Sequence, residues 1–500
     1  MAPFVPHALI RGARLRPGAA PVDIRLREGR IAEIGEHLTT AGAEVHDAGG
    51  ALALPGLWDA HVHFGQWAAM SRRVDVADTA SPEEVTARVA RHFAAERPAP
   101  GTVVQGFGWR VPGWDRLPST AELDAVAGDR PVILISGDCH AGWLSSSAFR
   151  ALGLPVHEGH LDEEEWFPIY QRLADLPEDP AVVRASLDSA MRAAAAKGVV
   201  GIADMEFEAG RLEWPQRTAD GLDLLRVRPA TYPEGLEETI AAGVRTGDVL
   251  DRTGLVTMGP LKVITDGSLN TRTAWCCEPF VTDDDLGDPH GKSTVGPEEL
   301  TGLLRRAHAH GLDGAVHAIG DQALLDALDA YTESGARGTI EHAQLVRMEA
   351  LGRFADLGLI ASVQPAHLLD DRDSTEALWP DRLDRCFALR SMTTAGIPLR
   401  LGSDAPVSPL DPWLAMAAAV HRSADEREPW APEQAIAPRE ALLASTDGVT
   451  ELTVGGPGDV ALLAEDPCPA GLPGTAAQAA HLRETQVLAT FVGGRLTHSA

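Results

Sequence analysis

Between Pro131 and Asp404 the chain alternates apolar, strand-like runs with amphipathic helical stretches. PVILISGD, VVGIADME, LVTMGPLKVITDG, LDGAVHAIGD, GTIEHAQL, LIASVQPAH and PLRLGSDAP read as strands. PEDPAVVRASLDSAMRAAAAKG, GPEELTGLLRRAHAHG and DQALLDALDAYTESG read as helices, each stopping at a glycine. Few folds accept such a pattern. Consecutive parallel strands need helical crossovers, and the crossovers cover the faces of the sheet. The pattern predicts an α/β fold with a parallel sheet, and a closed eight-stranded barrel is its natural candidate. The flanks differ. ALIRGARL, DIRLREGRIAEIGE and ALALPGL near the start, and GDVALLAEDP and VLATFVGGRLT near the end, alternate apolar and polar residues between glycines. They predict one small sheet domain built from both termini.

Polar residues fall where strands end. In ALPGLWDAHVHF, His61 and His63 stand two apart after an apolar run, so on a strand both imidazoles face one side. His317 follows GAV, His342 follows TIE, Asp404 follows LRLGS and Lys262 follows GPL. The C-terminal ends of barrel strands are where catalytic groups collect. Neutral imidazoles and carboxylates suit zinc and related divalent ions, and four His with one Asp exceed what one tetrahedral ion needs. A second HxH, His308 and His310 in RRAHAHG, lies in a helical pattern where residues two apart diverge, and reads as surface.

Lysine usage sharpens the picture. The chain has three lysines, Lys197, Lys262 and Lys292, among 43 basic residues. Lys262 nevertheless stands in an apolar run. Burial lowers a lysine's pKa and favours the neutral amine, which can add CO2 to form a carbamate with two anionic oxygens; arginine cannot. Such a group would bridge two ions. The net charge of −29 argues against nucleic acid and anionic membranes as partners. Five cysteines without CxxC spacing argue against a disulfide framework, and the N-terminus is a poor secretion signal. A cytoplasmic location is the expectation.

LPGLWDAHVH, LPSTAELDAVAGDRPVILISGDCHAGWLSSSAF, GVVGIADME, KVITDGSLNTRTAW, VHAIGDQA, TIEHAQLV, SVQPAH and LGSDAPV together resemble the amidohydrolase superfamily. More narrowly, they are similar to its amidohydrolase-3 group, which includes N-substituted formamide deformylases. The resemblance implies a distorted (β/α)8 TIM barrel with a small β-sandwich from both termini. On it, residues 1–56 and 441–500 form the sandwich and residues 57–440 the hydrolase barrel. The spacing from His63 to Lys262 is too long for three strand–helix units, which places an inserted subdomain at about residues 65–175, over the barrel mouth. The resemblance implies His61, His63, Lys262, His317, His342 and Asp404 as metal ligands, with Lys262 often N6-carboxylated in the superfamily. The expected cofactor is one or two divalent ions, Zn2+ first.

The expected reaction is hydrolysis of a non-peptide C–N bond, of the amide or N-substituted formamide class, in a small-molecule substrate. Asp404 is expected to act as base and then acid, and His342 or His317 to contact the developing oxyanion. Asp59 is an expected partner for His61 or His63. Asp266, Arg272 and His367, just past strand ends, are expected to touch substrate. Trp109, Trp114, His140 and Trp143 are candidates to line the pocket, with packing as the competing role. Deamination, cyclic-amide opening and C–O hydrolysis are the alternatives on the same barrel. A non-catalytic barrel predicts a damaged ligand set, and every expected ligand is present. For assembly, a homodimer is the working guess.

Overall fold

In the computed structural model, residues 7–40, 42–98, 101–109, 114–136, 141–175, 180–207, 210–281, 288–423 and 427–500 are described. Eight short strands run parallel: β1 (Leu57–Val62), β2 (Val199–Asp204), β3 (Arg226–Pro229), β4 (Leu261–Ile264), β5 (Gly314–Ala318), β6 (Gly338–His342), β7 (Ile360–Val363) and β8 (Leu399–Leu401). β2 pairs with both β1 and β3. β4 to β8 pair in chain order. Single parallel bridges link the two sheets at both edges, Thr231 to Leu261 beyond β3 and Val62 to Ala405 beyond β8.

Most residues of these strands are buried because both of their faces are covered. Helix Pro297–Ala309 crosses from β4 to β5 and buries Leu300, Leu304 and Ala307, one stripe at helical spacing. Helix Asp321–Ser334 crosses from β5 to β6 and stops on Gly335, whose φ of 67° closes the helix in the left-handed region. Leu300, Leu304, Leu324 and Leu328 share one buried core with Val263, Val316, Ile340, Ala361 and Leu401 from the strands.

The termini do come together. Leu52–Pro55 pairs antiparallel with Val460–Leu463, in one sheet with Val487–Val492 and Arg495–Ser499. A second four-stranded sheet centres on His7–Ala13 and Val22–Arg27. Ile10, Ile24, Leu26 and Ile31 from that sheet share a core with Val460, Leu462, Ala489 and Phe491.

The chain divides into two compact units, Met1–Trp67 with Met191–Ala500, and Ala68–Ala190. The second unit lies between β1 and β2 in sequence. It carries a five-stranded sheet whose main strands are Val104–Trp109, Val132–Ser136 and Gly142–Leu144. Its core gathers Val85, Val89, Phe93, Leu123, Leu134, Trp109 and Trp143. Ser119 starts helix Thr120–Ala127 with a capping box closed by Glu122. Among the described residues no helix is long and apolar enough to cross a membrane.

Candidate metal centre

The first histidine pair is set by how β1 meets β8. His61 lies in β1 and His63 just past its end. The Asp404 N–H donates to His61 O at 2.7 Å, and the His63 N–H donates to Ala405 O at 2.9 Å. A Cβ at Gly402 would stand 2.6 Å from His61 N, so only glycine lets the strands approach this closely. The join delivers Asp404 beside both imidazoles: its Oδ1 is 3.4 Å from His61 Nε2 and 3.4 Å from His63 Nε2.

The remaining members arrive on neighbouring strands. Lys262 is the second of the four residues of β4, earlier in the strand than its motif suggests, yet its Nζ lies 3.4 Å from His61 Nε2. His317, near the end of β5, and His342, the last residue of β6, have ring centroids 4.5 Å apart, and His342 lies 5.0 Å from His61. His367 opens helix His367–Leu378, stacks on His342 at 6.3 Å and faces Asp404 Oδ2 at 3.9 Å. Donor atoms of His61, His342 and Asp404 all lie within 4.8 Å of one another. His342 and Asp404 hold φ values of 71° and 53°, and Ala343 one of 41°. Such left-handed backbone costs an L-residue of order 1 to 3 kcal/mol and tends to collect at functional sites.

Two carboxylates orient the ligands, and both roles differ from expectation. The partner of His61 is Glu341, not Asp59: His61 Nδ1 lies 2.6 Å from Glu341 Oε2, and Thr339 Oγ1 donates to Glu341 Oε1. Asp59 instead accepts the backbone N–H groups of His61 and Ser403, at 3.1 and 3.0 Å, and so fixes the β1–β8 join. Asp266, expected at the substrate, is fully buried behind His317, 2.9 Å from its Nδ1. Its oxygens also accept from the N–H groups of Trp275, Ile319 and Gly320. A carboxylate so occupied has no oxygen left for a substrate.

Burial governs the electrostatics. It drives His61 and His342 well below the usual imidazole range, with Lys262 and His317 respectively adding to the effect. Burial lowers His63 and His367 to about 4. The rings are therefore neutral. With Nδ1–H donating to Glu341, His61 presents the Nε2 lone pair to Lys262 and Asp404; His317, donating to Asp266, presents Nε2 in the same way. Burial likewise lowers Lys262 towards the neutral amine and raises Asp404 to about 7. His63 Nδ1, His342 Nδ1 and His367 Nε2 are buried without a hydrogen-bond partner. Buried nitrogens left unpaired around one carboxylate suit an ion: ligation would satisfy groups that otherwise stay unsatisfied.

Arg272 occupies a tight turn after β4, at φ 55°, its N–H donating to Leu269 O at 2.9 Å. Trp109 is buried in the core of the unit Ala68–Ala190, stacked on Trp114 at 5.8 Å and edge-on to Trp143 at 6.5 Å. Packing is its role there. Trp114 and Trp143 tie down that unit's loops, donating to Thr79 O and Ser119 O. His140 lies outside the described residues. Sequence reading missed Glu341. Its signal was an acid inside an apolar strand, directly before His342.

Known proteins share this frame. A profile described as "Amidohydrolase family" matches residues 44–498. The chain is 28% identical to Protein LONG AFTER FAR-RED 3 of Arabidopsis thaliana over 84% of its length and 78% of the plant protein. It is 27% identical to an N-substituted formamide deformylase of Arthrobacter pascens, over 94% of this chain and 93% of that one. A solved metal-dependent hydrolase from Pyrococcus furiosus superposes with a TM-score of 0.77 at 24% identity, covering 93% of this chain and all of that one. With a family match over nearly its whole length, the chain belongs to the amidohydrolase family and is a hydrolase.

Proposed function

We propose that this protein hydrolyses a non-peptide carbon–nitrogen bond, of the amide or N-substituted formamide class, with a divalent ion as cofactor. The ring of eight parallel strands is read as the distorted (β/α)8 barrel and the two terminal sheets as its β-sandwich. The observation that carries the proposal is the convergence of His61, His342 and Asp404 on one point, with His63, Lys262 and His317 around it. The kinship with a protein named for deformylating N-substituted formamides supports the bond class.

His61, His63, His317, His342 and Asp404 would hold the ion, and Lys262 would join them as its carbamate. Neutral imidazoles with a carboxylate suit Zn2+ or a similar borderline ion. An ion bound there supplies Lewis acidity, making water more acidic and polarising a carbonyl. Asp404 takes a proton from the attacking water as oxygen adds to the carbonyl carbon. It returns that proton to the nitrogen as the C–N bond breaks, leaving an acid and an amine. Burial places the Asp404 carboxyl close to neutral pH, where one group can serve both steps. Glu341 and Asp266 hold their imidazoles in the tautomer and orientation that face the centre.

The test is metal analysis with chelation. One or two divalent ions per chain are expected, lost together with activity on chelation and restored by Zn2+. Asp404→Asn should remove turnover by about a thousandfold while leaving the fold intact by circular dichroism. Full activity in metal-free protein, or in the Asp404 variant, would refute the proposal.

A further inference from the structure

Resting on the hydrolase reading above, we infer that Phe207 and Val407 form an apolar shelf beside His63 that selects substrates carrying a flat, apolar ring next to the scissile bond.

The strand order makes the argument. β1 lies between β2 and β8, so the residues that follow β2 and β8 flank His63 on its two sides. Phe207 follows β2 and Val407 follows β8. Phe207 is 59% exposed and Val407 66% exposed, although each stands within a few residues of fully buried polar groups. Nine large apolar side chains are exposed among the described residues, and Phe207 is the one aromatic ring among them. A phenyl ring left in water forgoes apolar burial that a ligand can restore.

Phe207 is also held in place. Its ring stacks on the His63 imidazole at 5.5 Å with 28° between planes, and meets the Tyr232 ring at 5.1 Å. The Tyr232 hydroxyl donates to Met205 O at 2.7 Å, which fixes that ring behind Phe207. Next to it, Glu206 accepts from the Gln66 N–H and side-chain amide, at 3.1 and 2.9 Å, anchoring the turn to the segment after His63. A rigid aromatic face beside the reacting centre costs little entropy when a second ring packs on it, and ring pairs prefer offset stacking of this kind. Glu206 keeps its carboxylate on Gln66, and the two large side chains left exposed on the flanks of His63 are a phenyl ring and an isopropyl group.

Two readouts separate this inference from the hydrolase reading. Calorimetric binding of benzohydroxamate and acetohydroxamate to Zn2+-loaded protein needs no turnover. The wild type should bind the aryl probe at least about tenfold more tightly. Phe207→Ala should bring that ratio below about twofold, Phe207→Leu should retain part of it, and Val407→Ser should lower it less. In kinetics on matched N-aryl and N-methyl amides and formamides, Phe207→Ala should raise KM several-fold more for the aryl member than for the methyl member. Equal affinity of wild type for the two probes, or an aryl preference that survives Phe207→Ala, overturns the shelf. An equal loss on both members would mean that Phe207 merely supports His63, and also overturns it. Should the wild type show the hydroxamate preference yet cleave no C–N substrate, the shelf stands and the assigned reaction falls.

Discussion

Two HxH pairs in this chain have opposite fates. His61 and His63 end a parallel strand, whereas His308 and His310 end the helix Pro297–Ala309. On the strand, side chains two apart point the same way, and both rings reach Asp404. On the helix, two residues span about 200° of rotation. His308 is exposed, and His310 only returns to its own helix, its Nδ1 lying 3.0 Å from Arg306 O. A dipeptide spacing thus carries chemical meaning only through the period of the element that bears it. In the first pair His61 is buried and oriented by Glu341, with a neutral His63 beside it; the second is a polar helix end.

Substitution should break the comparison most visibly at its centre. His61→Ala is expected to lower kcat/KM by about a thousandfold or more, with loss of bound ion, while His308→Ala changes neither. Metal content by elemental analysis, measured beside turnover, checks both halves at once. A His308 variant as damaged as the His61 variant would mean that helix and strand pairs are not distinguished as argued.

The next effect is smaller and tests orientation. Glu341→Gln keeps the shape of the side chain but removes the charge that stabilises Nδ1–H of His61. Metal affinity should fall by about 10- to 100-fold, the usual cost of losing a carboxylate behind a ligating histidine. Competition with a chromophoric chelator measures it. Asp59→Asn is the contrast: Asp59 holds backbone N–H groups rather than the ring, so stability should fall more than affinity.

The same contrast explains what could be read in the sequence. The histidines, Lys262 and Asp404 stood out as candidates not singly, since a lone polar residue in a strand more often packs in the core, but because separate motifs recur in order along successive strands. Glu341 was not legible, since its partner His61 lies 280 positions away and only the strand order β6, β7, β8, β1 brings them together. Asp266 was legible as a polar residue past a strand end but not in its direction. Its carboxylate turns inward to satisfy the N–H groups of Ile319 and Gly320. Trp109 left two roles open because tryptophan lines pockets and fills cores alike; it packs in the core of the unit Ala68–Ala190. The alternation at the two ends was visible in the sequence, whereas the pairing of Leu52–Pro55 with Val460–Leu463 was not.

Acidity sharpens the comparison further. Metal binding requires ionised Asp404 and neutral imidazoles. Burial holds Asp404 at about 7 before an ion is bound, so below that pH the ion must displace a proton from it. Burial keeps His63 neutral down to about 4, and His61 and His342 are lowered as well, so these three rings release none in this range. The sign is therefore fixed: affinity falls as pH drops below about 7. The slope should be about tenfold per pH unit between roughly 5 and 7, one proton per ion. A slope of two or three protons near pH 6.5 would mean that the rings titrate as free histidines do. A zinc titration at several pH values decides the matter.

The smallest effect is expected at the helical pair. His308 is exposed, and the helix end it decorates closes through backbone bonds, the His310 N–H donating to Ala307 O at 3.0 Å and the Gly311 N–H to His308 O at 3.0 Å. Neither bond needs an imidazole. A buffered surface position of this kind changes stability by about 0.5 kcal/mol or less on substitution. The His310 contact to Arg306 O adds one exposed hydrogen bond at the helix C-terminus. The double variant His308→Ala/His310→Ala should therefore lose about 1 kcal/mol at most. Urea denaturation measures the difference. A loss of several kcal/mol, or any loss of bound ion, would show that this pair does more than finish a helix.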